Sequence, residues 1–116
     1  MVGERRLFVR FMMSGMVILQ PDTKSPATIE CELLDLSYDG IGLSSPQPII
    51  VETVRFIIIN RQLNVNLSGS ARVVYCKTVK DNGKNIFRVG LEFTDVDRNQ
   101  IKSILVQVRD TPAQSG

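Results

Sequence analysis

The stretch Asn85-Ile86-Phe87-Arg88-Val89-Gly90-Leu91-Glu92-Phe93 decides the fold. Phe87, Val89, Leu91 and Phe93 alternate with Arg88, Gly90 and Glu92. Successive side chains of a strand point to opposite faces, so this is a strand with one buried and one wet face, as in antiparallel sheets. Just upstream, Asn82-Gly83 separates it from the run Val73–Val79. Asn-Gly tolerates the positive φ angles of a type I′ turn, so the two runs predict a hairpin. Working outward, Leu63, Val65 and Leu67 alternate with Asn64, Asn66 and Ser68, and Ile29, Cys31 and Leu33 with Glu30 and Glu32. Val54-Arg55-Phe56-Ile57-Ile58-Ile59 is β-branched and bounded by Asn60, which predicts a more buried strand. Only after Asp97 does the period change. Ile101, Ile104, Leu105 and Val108 fall on one helical stripe, predicting a helix over 97–109 that buries them. Asp95 or Asp97 caps it and Thr111-Pro112 ends it. Six short antiparallel strands and one helix predict an all-β fold, a closed or nearly closed six-stranded barrel with a C-terminal helix over one opening.

Composition narrows what such a barrel does. The chain has 116 residues, 43% hydrophobic and 22% charged, enough for one core and too short for two. Fourteen Lys and Arg against twelve Asp and Glu leave a formal charge of +2, too mild for a general nucleic-acid binder. All of that excess sits in residues 1–11, where Arg5, Arg6 and Arg10 oppose Glu4 alone. There is no His, hence no imidazole-dependent nucleophile, metal site or pH switch. Cys31 and Cys76 form no CxxC motif and read as buried, reduced thiols. The first residues lack the apolar core of a signal peptide, and Phe11–Leu19 is about half the length a membrane helix needs. These features predict a cytoplasmic protein without membrane insertion.

Two segments carry chemistry that packing does not require. The first is Arg5-Arg6-Leu7-Phe8-Val9-Arg10. As a bare basic terminus it would be solvated and disordered. Yet apolar residues interleave the arginines, and disordered tails are poor in them. Such an arm docks through its apolar residues and holds guanidinia over a neighbouring surface. Arg offers a planar fork of donors that fits phosphate oxygens, or O6 and N7 of guanine, with two parallel bonds. The second is Asp35-Leu36-Ser37-Tyr38-Asp39-Gly40-Ile41-Gly42, a turn between two strands. Asp35 and Ser37, two apart at a strand end, are expected to face one way. A carboxylate accepts from the N1 and N2 hydrogens of guanine, and Gly40 lets a ligand approach the backbone.

Taken in order, Arg6-x-x-x-Arg10 and Asp35-x-Ser37-x-x-Gly40 resemble the paired RxxxR and [DN]xSxxG signature of the PilZ domain family. Ala71-Arg72-Val73-Val74-Tyr75 and Val89-Gly90-Leu91-Glu92-Phe93 resemble the family's later strands, so the likeness runs over roughly residues 4–109. It implies a PilZ-like split barrel over 12–110, a flexible basic arm over 1–11, and a disordered tail over 111–116, as a stand-alone module. It implies a receptor for the second messenger cyclic di-GMP and no enzyme. By the same resemblance, Arg6 and Arg10 bind phosphates and the guanine Hoogsteen edge, while Asp35 and Ser37 hold a guanine from its other edges. Gly40 keeps the turn clear. Arg5, before the motif, is associated in that family with a stacked pair of ligands, implying two cyclic di-GMP molecules per chain. Arg72 is a weaker candidate. On ligand binding the arm would change conformation and signal to a protein partner. Two alternatives compete: a degenerate PilZ module that only contacts proteins, and a barrel for single-stranded nucleic acid. Five Phe and two Tyr with no Trp, mostly at core-strand positions, argue against the second.

Overall fold

The structure, a computed structural model, describes residues 9–110. Six strands run β1 (Phe11–Gln20), β2 (Ile29–Leu36), β3 (Gly40–Ser45), β4 (Thr53–Asn60), β5 (Val65–Asp81) and β6 (Lys84–Asp95), followed by helix α1 (Arg98–Asp110). They close into a barrel in the order β1-β2-β3-β6-β5-β4, every pair antiparallel. The apolar positions of the alternating segments fill it. Val17, Leu33, Leu43, Ile58, Leu67, Val89 and Leu91 are all buried, and Phe56 meets Phe93 at 5.4 Å between ring centroids. Each aliphatic side chain withdrawn from water contributes about 1.5–3 kcal/mol, so the interior of the barrel stabilises the fold.

The β5–β6 hairpin turns at Asn82 and Gly83, with φ of 52° and 81°, as the Asn-Gly pair predicts. Two readings of the pattern change. Leu63 lies in the turn that precedes β5, and the segments at Val65–Leu67 and Val73–Val79 belong to one strand of 17 residues. The sixth strand is instead β1, the apolar run too short for a membrane. Helix α1 inserts Ile101 and Ile104 into the core, while Leu105 and Val108 pack against it half-buried. Asp97 caps the helix, its carboxylate accepting from the N–H groups of Asn99 at 3.0 Å and Gln100 at 3.2 Å. Among the described residues no helix is long and apolar enough to cross a membrane. Both cysteines are free, Cys31 buried and Cys76 half-buried. The expected flexible arm falls largely, and the expected disordered tail wholly, outside the described residues.

Two of the four register shifts among the described strands shape this part of the outer wall. Between β2 and β3, Leu33 pairs with Leu43 and Asp35 with Gly42, leaving Leu34 as an extra residue. Between β5 and β6, Val73 pairs with Leu91 and Tyr75 with Gly90, leaving Val74 extra. Each bulge reverses the in–out alternation beyond it. Asp35 and Tyr75 therefore face outward, where strict alternation from Leu33 and Val73 would turn them into the core.

Candidate functional site

The last arginine of the basic arm, Arg10, stands directly before β1, which takes in Phe11, the end of the expected arm. Its Nη1 donates to Asp35 Oδ1 at 2.7 Å, and both side chains remain partly exposed. The two motifs thus meet at their near ends. Arg5 and Arg6 lie outside the described residues. Asp35 lies flat because its cross-strand neighbour is Gly42: a β-carbon there would sit 2.8 and 2.9 Å from the two carboxylate oxygens. Gly42 was visible in the quoted turn but carried no sequence signal for this role.

Ser37 does not share the direction of Asp35. It is fully buried, with its hydroxyl donating to Asp39 Oδ1 and accepting from the Gly40 N–H at 3.2 Å. The Ser37 N–H donates to the Gly40 carbonyl at 2.9 Å, which closes the turn. Gly40 itself is buried against β6, where a β-carbon would collide with the Leu91 carbonyl oxygen. These two residues build the turn that aims its neighbours. The turn is anchored twice more: the Phe93 N–H donates to the Asp39 carbonyl at 2.9 Å, and Arg98 Nη1 to the Tyr38 carbonyl at 2.9 Å. The Arg98 guanidinium also lies 5.3 Å from the Tyr38 ring centroid, so the first turn of α1 holds the loop in place.

Across the wall, Arg72 on β5 is ion-paired with Glu92 on β6, both side chains about half exposed. A concavity of about 180 Å³ joins this pair to the turn, with Arg10, Gly40, Arg72, Tyr75 and Gly90 among the residues lining it. Arg10 and Arg72, far apart in the sequence, therefore border one depression. Tyr75, absent from the sequence-derived site, forms one side of it. Its ring covers Gly90, where a β-carbon would lie 2.8 Å from both Cδ2 and Cζ. The arrangement offers cations, a carboxylate and an aromatic face on an open surface. Among the described residues, no His, Cys, Asp and Glu gather in a group able to hold a metal ion.

The sequence profile of the PilZ domain matches residues 4–109. The chain belongs to the PilZ domain family. No curated protein sequence matches it. Among solved structures, the PilZ domain of Escherichia coli YcgR with c-di-GMP superposes with a TM-score of 0.71 at 17% identity, covering 91% of this chain and 92% of that one. Bacillus subtilis MotI, an inhibitor of motility, gives 0.69 at 18% identity over 91% of this chain and 50% of its own. Borreliella burgdorferi PlzA, in complex with c-di-GMP, gives 0.65 at 10% identity over 91% and 54%. At these identities the likeness is one of fold. The PilZ chain spans half the length of MotI and nearly the whole YcgR domain.

Proposed function

We propose that this PilZ domain is a receptor for cyclic di-GMP and performs no catalysis. The observation that carries the reading is the Arg10–Asp35 ion pair, which brings the two signature motifs together on the barrel's outer wall. The presence of c-di-GMP in the YcgR and PlzA structures agrees with it. The pair is a match for the two halves of a guanine nucleotide. Arg10 carries a fork of donors suited to phosphate or to O6 and N7, and Asp35 carries an acceptor suited to N1 and N2 hydrogens. In the free protein each neutralises the other. Bound ligand takes over both, supplying anionic oxygens to the guanidinium and donors to the carboxylate.

Arg5 and Arg6 extend the cationic side of the site. As phosphates neutralise the arm's charge, it closes over the barrel and alters the surface offered to a protein partner. Arg5 supplies a third guanidinium, and we assign it to a second, stacked ligand, giving two cyclic di-GMP molecules per chain. Ser37 and Gly40 act through the turn's shape, and Arg72 borders the depression as a secondary cation. Calorimetric titration with cyclic di-GMP tests the proposal. Saturable binding that Arg10→Ala weakens by one to two orders of magnitude is expected. No heat of binding from a folded protein would refute it and favour the protein-contact alternative.

A further inference from the structure

One outward-facing row crosses four strands of the barrel: Asp35 on β2, Gly42 on β3, Gly90 on β6 and Tyr75 on β5. Its two central members have no side chains, so its two outer members lean inward over them. Asp35 lies over Gly42 and Tyr75 over Gly90. Both glycines are buried, with those side chains lying against them. A carboxylate from β2 and an aromatic ring from β5 are thereby laid down toward each other over β3 and β6, the two neighbouring strands between them. Tyr75 keeps 39% of its surface exposed, high for an aromatic residue in a small barrel. Its ring borders the same depression as Arg10 and Arg72.

We propose that Tyr75 is a stacking surface for one guanine of the bound cyclic dinucleotide. This rests on the cyclic di-GMP reading and adds a base-contacting residue to it. A planar purine that offers its N1 and N2 hydrogens to Asp35 extends away from β2, across the glycine pair and toward the ring. Gly42 and Gly90 raise no side chain in its path. Aromatic stacking adds affinity without reading sequence, since every base has a π-face, and the carboxylate adds the discrimination. Lys77 belongs to the same device. Its ammonium stands 5.3 Å from the Tyr75 ring centroid on the exposed side, paired across β5–β6 with Arg88. That side chain is long, exposed and readily displaced. A base settling on the ring moves the ammonium aside, toward the ligand's phosphates.

The chain has no Trp and two Tyr, so its intrinsic emission comes from Tyr38 and Tyr75, and the difference between wild type and Tyr75→Phe reports on Tyr75. Cyclic di-GMP is titrated into wild type, Tyr75→Ala, Tyr75→Phe, Gly90→Ala and Arg10→Ala, following tyrosine fluorescence and calorimetric heat, with a thermal melt to establish folding. The Tyr75→Phe chain emits from Tyr38 alone and corrects for absorption by the ligand. Stacking predicts quenching in the wild type beyond that correction. It predicts binding roughly 10-fold or more weaker in Tyr75→Ala, and within about 3-fold of wild type in Tyr75→Phe, since phenylalanine keeps the π-face. Gly90→Ala, which pushes the ring off its seat, is expected to weaken binding as Tyr75→Ala does. Tight, Arg10-dependent binding that Tyr75→Ala leaves unchanged would overturn the stacking role alone. Absence of binding in the folded wild type, or binding indifferent to Arg10→Ala, would overturn the site reading and the stacking role with it.

Discussion

Gly42→Ala separates the site from the fold. The β-carbon it adds lies 2.8 Å and 2.9 Å from the Asp35 oxygens and 3.1 Å from Cγ, where unstrained contacts need about 3.5 Å or more. The obstacle is the end of a flexible side chain, so the backbone of β3 stays where it is and the carboxylate moves by roughly 0.5–1 Å. A shift of that size stretches the 2.7 Å bond to Arg10 to roughly 3.2–3.7 Å, at or past the limit of a useful hydrogen bond. The partly exposed ion pair is worth at most about 1 kcal/mol. Replacing a strand glycine by alanine returns about 0.5–1 kcal/mol, so stability hardly changes. Recognition suffers more. A hydrogen bond to a charged group contributes about 1.5–3 kcal/mol, which at about 1.4 kcal/mol per decade is a loss of roughly 10–100-fold in affinity. Gly40→Ala is the contrast, because its β-carbon meets the Leu91 carbonyl of the barrel wall. Overpacking against backbone costs about 1–3 kcal/mol, or a melting temperature lower by roughly 5–20 °C in a domain of this size. Calorimetry with cyclic di-GMP and thermal melts by circular dichroism read both. Wild-type affinity in Gly42→Ala would refute the dependence of binding on where Asp35 lies, and an unchanged melt in Gly40→Ala would refute the packing role of that glycine.

Arg6→Ala and Arg10→Ala are each expected to weaken cyclic di-GMP binding by about 10–100-fold, the value of a bidentate guanine contact, with the melting temperature little changed; a mutant that titrates as wild type removes that arginine from the site. Asp35→Ala should weaken binding with less salt dependence than the arginine changes, and it should narrow the preference for cyclic di-GMP over cyclic di-AMP, whose adenines lack the N1 and N2 hydrogens. Equal discrimination before and after would exclude the carboxylate from base reading. Ser37→Ala strands the turn's buried hydrogen-bonding groups and is expected to cost about 1–3 kcal/mol of stability, measurable by urea titration. Arg5→Leu should lower the titration break from two ligands per chain toward one while binding remains measurable, and a break at one ligand in both chains would discard the stacked pair. Burial pushes the Cys31 thiol up from its ordinary value, a rise only partly countered by its hydrogen bond with Ser45. The reactive thiolate is thereby suppressed, so Cys31 should be alkylated more slowly than the half-buried Cys76 at pH 8, by mass spectrometry of the labelled chain.

The barrel was legible because its core obeys period two. Phe87, Val89, Leu91 and Phe93 announced β6, and Asn82-Gly83 announced the two-residue connection that joins it to β5. The helix was legible for the complementary reason, a change of period at Asp97. The signature motifs supplied Arg10 and Asp35, which do meet. They did not reveal which members face a ligand and which build the turn. Ser37 and Asp35 are two apart in sequence, yet one is sealed under the loop and the other lies on the wall.

The reason lies in the bulges. Alternation assigns a residue's face by counting from its neighbours, and one extra residue reverses every assignment beyond it. Leu34 and Val74 are such residues, and each immediately precedes a side chain that lines the wall beside the glycine pair. Counting inward from Val73 puts Tyr75 in the core, which is why the aromatics could be discounted as packing. Counting from Leu33 does the same for Asp35, which only its motif rescued. With these residues at these positions, an unbroken alternation from Leu33 and Val73 would have turned both Asp35 and Tyr75 into the core. The irregularities that weaken the sequence pattern are therefore the means by which the wall acquires its chemistry. Gly42 and Gly90 complete it by leaving the space into which those side chains turn.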